Sequence, residues 1–189
     1  MILVINVCRE RLHYYEFVKP VEDVLSGNNI DFETWHYKQL DERILNRADK
    51  IIICGTSLKD NEFLGYYHKF DWLLDCEKPV FGICAGMQII GMVFGNKINN
   101  FKSLFGKKKE IGFYKEKFEK GFLGAKGGQE LEVYHLHDNY VKFNSKDFII
   151  FNKGRVPQAI KSKDKEIYGV LFHPEVRQKG MIYHFAYLI

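Results

Sequence analysis

The sequence predicts a single α/β domain built on a doubly wound, mostly parallel sheet, with helices on both faces and a small antiparallel β extension. Strand-like and helix-like segments alternate through the first half of the chain, and most of those strands are largely apolar. Fully apolar strands are typical of parallel sheets that helices cover on both sides. After about residue 96, short runs rich in Val, Ile, Phe and Tyr are separated by turn residues, which favours antiparallel strands.

The elements of the first half follow from their spacing. The apolar run over residues 1–7 predicts the first strand, and apolar residues from Tyr14 to Leu25 recur at helical spacing. Gly27-Asn28-Asn29 then ends that helix. The pattern continues with predicted strands at 30–35, 51–54 and 80–83 and predicted helices at 40–47 and 63–74.

The second half predicts shorter elements. Strands are expected at 130–135, 140–143, 148–152 and 158–160, the run at 167–172 is expected to return to the main sheet, and 181–188 is expected to form a terminal helix. A chain of 189 residues is long enough for one good hydrophobic core and too short for two. We therefore predict one domain over residues 1–189.

The bulk composition is that of a globular protein, with 46% hydrophobic and 28% charged residues. The start of the chain lacks the basic lead and the small-residue cleavage site of a signal peptide. No apolar run approaches the roughly 20 residues that a membrane-spanning helix needs. These features predict a cytoplasmic protein that does not associate with a membrane.

The chain has four cysteines, and their spacing is not that of a disulfide scaffold. Reduced thiols are therefore expected. Cys8 and Cys54 end apolar strands and are expected to be buried packing residues, and Cys76 is expected near a helix end with the same role. Cys84 has a different setting.

Cys84 lies between two glycines, Gly82 and Gly86, at a predicted strand-to-helix turn. Such a turn presents its central side chain, and the flanking glycines tolerate the tight backbone. A thiol at a helix N-terminus also meets the positive end of the helix dipole, which favours the nucleophilic thiolate. This pattern predicts a reactive cysteine.

A second motif lies much later in the chain, where an apolar strand stops at His173-Pro174-Glu175. A histidine can take a thiol proton and return it to a leaving amine. A carboxylate two residues further on can hold the imidazole tautomer and stabilise its cation. Pro174 stiffens the backbone and ends the hydrogen bonding of the strand.

Together, the segments Gly82–Gln88 and 172–175 resemble the class I (triad) glutamine amidotransferases. The resemblance implies a flavodoxin-like fold in which Cys84 attacks the side-chain amide of L-glutamine, while His173 and Glu175 activate it. It also implies that the released ammonia passes to a separate ATP-dependent synthetase. No cofactor is expected for this half-reaction, and ATP and Mg²⁺ are expected only on the synthetase.

The oxyanion hole is the point at which the sequence departs from that family. The amide of Ala85, directly after the nucleophile, is expected to point at the developing oxyanion. The family takes its second amide from a glycine-rich loop after the third strand, and only Gly55 of that pattern remains here, followed by Thr56. A β-branched residue resists positive φ. Either Gly55 or Thr56 supplies the amide, or the hole forms only when a partner docks.

The resemblance also assigns residues that bind the substrate. Gln88 lies one helical turn after Cys84 and can face the same pocket. In the family this glutamine helps to hold the amino-acid end of the substrate. Gly86 of the same motif is assigned to the substrate site with it.

The segment His135-Leu136-His137-Asp138 has two interpretations. Two histidines at i and i+2 on a strand place both rings on one face, which could mark a metal site. The nearest further ligand in the sequence, Asp138, points to the opposite face. We therefore predict no metal there.

The second interpretation rests on resemblance. Amidotransferase subunits of GMP synthetase carry a Ser-His-x-Asp-x-Val segment, which His137 and Val141 match, whereas Leu136 and Asn139 replace the serine and the acid. On this basis His137 and Asp138 are expected to contact substrate. The segment 110–112 also resembles a Glu-x-Gly element of the family, and a plain strand entry explains it equally well.

Lysines cluster between Lys102 and Lys120, interleaved with aromatic residues. The aromatic residues are Phe105, Phe113, Tyr114 and Phe118. No recognised nucleic-acid-binding motif accompanies them, and the net charge is only +4. The favoured interpretation is a solvated surface with the aromatic side chains turned inward, and the docking of an acidic partner stays open.

The sequence thus predicts a glutaminase subunit. The ending His173-Pro174-Glu175-Val176, the segment 137–141 and the length of the chain favour, among family members, the one that serves GMP synthetase. Two alternatives stay open. One is a stand-alone γ-glutamyl hydrolase, and the other is a non-catalytic regulatory or binding homologue with an incomplete oxyanion hole.

Overall fold

The structure is a computed structural model that describes residues 1–102, 106 and 109–189. Its main sheet has seven strands. They are β1 (Ile2–Asn6), β2 (Phe32–His36), β3 (Lys50–Ile53), β4 (Val80–Ile83), β9 (Phe148–Ile150), β10 (Ala159–Ser162) and β11 (Ile167–Val170). The spatial order is β2-β1-β3-β4-β11-β10-β9. The first five strands of this order are parallel, and β10 and β9 extend one edge in antiparallel fashion. The predicted fold class is therefore confirmed, including the return of the last strand to the main sheet.

Within the described residues, five α-helices accompany the sheet. They are α1 (Arg11–His13), α2 (Lys19–Gly27), α3 (Glu42–Arg47), α4 (Ala85–Val93) and α5 (Gly180–Leu188), with a π-helical turn (Tyr14–Val18) joining the first two. On one face of the sheet, Leu25 of α2 and Phe185 of α5 belong to one hydrophobic core. On the other face, Ile44 of α3 and Ile90 of α4 belong to a second core. Helices thus cover both faces, as fully apolar strands require.

The helix predicted over residues 63–74 is wrong in type. The structure has two 3₁₀ helices there, Glu62–Gly65 and Tyr67–Leu74. Phe70 and Leu73 are fully buried, and residues three apart lie directly above one another in a 3₁₀ helix. The apolar spacing that suggested an α-helix serves this tighter form equally well.

The antiparallel extension consists of two small ribbons. Strand β5 (Ile98–Asn100) pairs with β8 (Asn139–Val141), and β6 (Glu110–Lys117) pairs with β7 (Glu130–His137). Neither β5 nor β6 was predicted as a full strand. The register of the longer ribbon places Glu110 opposite His137, across 27 residues of sequence.

The long ribbon corrects the interpretation of the lysine-rich segment. Phe113 and Tyr114 are 59% and 38% exposed, whereas Phe118 is fully buried. The expected inward orientation of the aromatic side chains is therefore wrong for two of the three. The physical reason is that β6 pairs with β7 alone, outside the main sheet. Phe105, Lys107 and Lys108 lie outside the described residues.

Within the part of the chain that the structure describes, no helix has the length and apolarity needed to span a membrane. The four cysteines are free thiols, and Cys8, Cys54 and Cys84 are buried. The packing role predicted for Cys8 and Cys54 agrees with that burial.

Candidate active site

Cys84 forms a sharp turn between a strand and a helix. Strand β4 ends at Ile83 and α4 begins at Ala85, so Cys84 alone connects them. Its φ of 49° and ψ of −100° are unusual for a residue with a side chain. Its amide donates to the carbonyl oxygen of Val170 at the end of β11, 2.8 Å away. Such strain at a residue held from both sides is typical of functional positions.

The two glycines beside Cys84 are needed for close packing. A Cβ on Gly82 would lie 2.6 Å from the backbone carbon of Gly86. A Cβ on Gly86 would lie 2.2 Å from the carbonyl oxygen of Ile53 in β3. The positive φ of the turn belongs to Cys84 itself, so the glycines serve to bring α4 against the sheet.

His173 and Glu175 form the pair that their spacing predicted. Nδ1 of His173 lies 2.6 Å from Oε1 of Glu175, and both side chains are almost fully buried. Burial alone would lower the pKa of His173, but the charge of Glu175, and then that of Cys84, raises it well above its usual value. The Nε2 atom of His173 makes no hydrogen bond to a described residue. The imidazole thus turns Nδ1 to Glu175 and keeps its second nitrogen free of hydrogen bonds to the described residues.

The long ribbon and the π-helical turn (Tyr14–Val18) contact the segment that carries His173. The amide of His173 donates to the carbonyl oxygen of Tyr134 in β7, 2.9 Å away, and the Phe17 ring lies 5.3 Å from the imidazole. The Cys84 thiol donates to the carbonyl oxygen of Leu136, 3.8 Å away. A Cβ placed on Gly55 would contact both Cys84 and His173, so the three residues predicted as a triad lie close together at the carboxyl ends of β4 and β11.

The predicted oxyanion residues lie beside this triad. A Cβ on Gly55 would lie 2.7 Å from Cε1 of His173, so only glycine fits there. Thr56 is buried, and its hydroxyl donates to Oδ2 of Asp60 over 3.0 Å. Its φ is not positive, so the expected conflict with a β-branched residue does not arise. Among the described residues, no acceptor receives the amides of Thr56 or Ala85, and both residues line the pocket at Cys84.

That pocket is small. Its volume is about 20 Å³, little more than one water molecule needs. The lining comprises Thr56, Ser57, Leu58, Asn61, Phe63, Cys84, Ala85, Gln88, Leu136, His137, Asp138 and Asn139. Three of the four residues assigned to substrate binding, Gln88, His137 and Asp138, are therefore in the lining. Gly86 is not among the described residues that line it, because it packs against Ile53.

Burial shifts the pKa values of two titratable groups around the pocket, His137 and Asp138. Gln88 is 4% exposed, and its Nε2 donates to the carbonyl oxygen of Asn139 over 3.2 Å. Burial lowers the pKa of His137 to about 4, against the raising effect of Glu110. Burial also raises the pKa of Asp138. His137 is consequently a neutral ring near pH 7.

Sequence reasoning missed several residues of the site. Leu136 and Asn139 contribute backbone carbonyl groups, which the side-chain pattern does not reveal. Asp60 accepts from the Arg9 amide over 2.6 Å as well as from Thr56, and so anchors the loop after β3. The only signal in the sequence was an acidic residue four positions after Thr56.

Comparison with known proteins shows the family of this chain. A profile of the family "Glutamine amidotransferase class-I" matches residues 13–185. This chain therefore belongs to the class I glutamine amidotransferase family.

Some individual relatives of this chain are named GMP synthase or a subunit of it. A glutamine-hydrolysing GMP synthase subunit from Methanosphaera stadtmanae is 35% identical over 107 residues, which cover 56% of this chain and 55% of that protein. The glutamine-hydrolysing GMP synthase of Chlamydia caviae is 35% identical over 100 residues, which cover 52% of this chain and 19% of that protein. The match thus spans between about a fifth and about half of the length of these relatives.

Solved structures share the fold. A GMP synthase subunit protein from Thermoplasma acidophilum superposes with a TM-score of 0.81 at 20% identity, covering 98% of this chain and 91% of the other. A glutamine amidotransferase from Thermotoga maritima gives a TM-score of 0.71 at 21% identity, covering 99% and 81%. At this identity the likeness shows the fold alone.

Proposed function

We propose that this chain hydrolyses L-glutamine to glutamate and ammonia through a cysteinyl thioester and supplies the ammonia to a separate synthetase. The observation that carries the proposal is that the strained Cys84 turn lies beside the buried His173–Glu175 pair, because one Cβ placed on Gly55 would contact both Cys84 and His173. Membership of the glutamine amidotransferase family supports the choice of substrate.

In the proposed first step, the Cys84 thiolate attacks the side-chain amide carbon of glutamine. The charge of Glu175 stabilises the protonated form of His173, and a cation beside a thiol favours the thiolate. His173 then gives a proton to the leaving ammonia and later takes one from the water that hydrolyses the thioester. The unpaired amides of Ala85 and Thr56 are the donors proposed for the oxyanion.

The substrate would be held by groups already in the pocket lining. The Gln88 amide can accept from and donate to the charged amino-acid end of glutamine. The neutral His137 ring and the Asp138 carboxyl lie in the same lining. This half-reaction uses only groups of this chain and water, whereas ATP and Mg²⁺ belong to the synthetase in this proposal.

We propose that the partner is the ATP-dependent component of GMP synthetase. The support is that relatives matched over half of this chain are named GMP synthase or a subunit of it.

The test measures glutamate and ammonia released from L-glutamine by the purified chain, with and without the ATP-dependent component of GMP synthetase and its substrates. Cys84→Ser should abolish release, and Cys76→Ser, at a half-buried cysteine away from the site, should leave it unchanged. GMP formation from glutamine should require both proteins. Full release by the chain alone would instead favour a free-standing hydrolase, and no release under any condition would favour a binding homologue.

A further inference from the structure

Two histidines and a glutamate meet inside the long ribbon, beside the candidate active site, and only His137 of the three also lines its pocket. Oε2 of Glu110 lies 2.9 Å from Nδ1 of His135 and 3.2 Å from Nε2 of His137. Within the described part of the chain, the donor atoms of these three residues all lie within 4.8 Å of one another. We propose that Glu110, His135 and His137 form a binding site for a divalent transition-metal ion of the zinc type.

The donor set suits such an ion. Zinc binds histidine nitrogens and carboxylate oxygens at about 2.0–2.2 Å and accepts three protein ligands with a water in the fourth position. Tetrahedral bonds of that length put neighbouring donor atoms about 3.3 Å apart. The two distances from Glu110 are already close to this value, and the histidine nitrogens lie within 4.8 Å of each other.

The ring nitrogens that do not face Glu110 also support metal binding. His135 and His137 are each 1% exposed, and neither Nε2 of His135 nor Nδ1 of His137 makes a hydrogen bond within the described residues. Oε1 of Glu116 lies 3.5 Å from Nε2 of His135. A ligating histidine usually presents its other N–H to a carboxylate, which orients the ring and strengthens the bond to the metal. Glu116 is placed to serve as that carboxylate for His135.

The ribbon explains why the sequence suggested the opposite. The predicted absence of a metal rested on Asp138, the nearest acid in the sequence, which follows the strand. In the structure the third donor comes from the neighbouring strand, since Glu110 of β6 is paired with His137 of β7. The Glu110 side chain is 28% exposed and gives an ion a path from solvent.

The proposed metal site shares one residue with the pocket at Cys84, but it does not depend on the proposed function. His137 is both a proposed ligand and a residue of the pocket lining. The thiol of Cys84 and the imidazole of His173 could themselves bind zinc, because both are good ligands. Any test must therefore remove the Cys84 thiol first.

The experiment titrates chelator-treated Cys84→Ser protein with Zn²⁺ in a calorimeter and with Co²⁺ in a spectrophotometer. One equivalent of Zn²⁺ should bind with a dissociation constant of about 10 μM or below, and Co²⁺ should give the visible bands of a tetrahedral N/O site. His135→Gln and Glu110→Gln, each in the same background, should weaken Zn²⁺ binding at least about tenfold. Glu116→Gln should weaken it by about 10- to 100-fold through the outer contact.

His68→Gln is the matched control, since His68 is 70% exposed and remote from the ribbon in sequence, and its Zn²⁺ affinity should equal that of the background. Should His135→Gln fail to fold, the partly exposed Glu110→Gln decides the question. Stoichiometric binding that persists unchanged in both variants would overturn the proposal. So would the lack of any saturable Zn²⁺ binding, which would leave the three residues as a hydrogen-bonded cluster only.

Discussion

Gly55 and His173 lie so close together that a Cβ on residue 55 would be 2.7 Å from Cε1 of the imidazole. The same Cβ would be 3.3 Å from Cβ of Cys84. The backbone after β3 therefore packs directly against Cys84 and His173, and a side chain at residue 55 would collide with the imidazole.

Replacing Gly55 with alanine should displace the His173 ring and lower kcat/KM for glutamine by at least about tenfold, because a misplacement of about 1 Å can cost on the order of 100-fold. Steady-state glutamate release measures the effect. Gly65→Ala is the control, since a Cβ there has no neighbour within 4 Å, and it should leave the rate unchanged. A Gly55→Ala protein with normal kinetics would contradict the placement of His173.

Cys84 should be the only cysteine that a glutamine-like diazo-ketone alkylates rapidly. Burial raises the pKa of Cys8 to about 12 and raises those of Cys54 and Cys76 as well, so these three stay protonated near pH 7. Peptide mass spectrometry after a short exposure gives the labelled position. Labelling first at Cys8 or Cys54 would show that the nucleophile is misassigned.

His173→Ala should reduce glutaminase activity far more than Glu175→Gln, because the histidine moves protons and the glutamate orients it. The glutamate substitution should also lower the pKa of His173. The sign follows from the opposing effects, since burial lowers that pKa, the charge of Glu175 is the largest effect that raises it, and without Glu175 burial would be opposed by Cys84 alone. An NMR titration of the His173 ring in both proteins measures the shift, and equal titration curves would remove Glu175 from the triad.

Glutaminase activity of the isolated chain should rise at least about tenfold when the synthetase and its activated substrate are present. Loss of one oxyanion donor typically costs about 10²–10³ in rate, and Thr56, the source of one proposed donor, lies in the loop after β3 that lines the pocket. A docked partner that aligns this loop would improve that donor without altering Cys84, His173 or Glu175. Equal glutamate release with and without the partner would refute this form of control.

Gly86→Ala should destabilise the fold by roughly 1–3 kcal/mol or more, because its Cβ would meet the Ile53 carbonyl oxygen at 2.2 Å, inside a well-packed layer. Gly180→Ala at the start of α5 meets nothing within 4 Å and should be close to neutral. Urea unfolding of both variants measures the difference. A neutral Gly86→Ala would mean that α4 can move away from β3 at little cost.

The sequence by itself determined the sheet and which residues, Cys84, His173 and Glu175, are proposed as the nucleophile and the pair that activates it. Apolar strands alternating with helical spacing can be buried only in a covered parallel sheet, and such a sheet brings its carboxyl ends together. Cys84 directly follows β4, and His173 and Glu175 lie within five residues of the end of β11. Their positions in the sequence, just after two strands of the sheet, were therefore enough to predict that they lie close together.

Only the tertiary structure decided which residues meet across strands. The pairing of Glu110 with His137, the clearance between Gly55 and His173 and the carbonyl groups of Leu136 and Asn139 depend on register and on close packing. A single sequence gives no strand register for a ribbon outside the main sheet, because its residues are only partly buried and the hydrophobic pattern sets register weakly there. The positive φ of Cys84 was equally hidden, since it arises from the helix packing against the sheet on one side and the hydrogen bond to Val170 on the other.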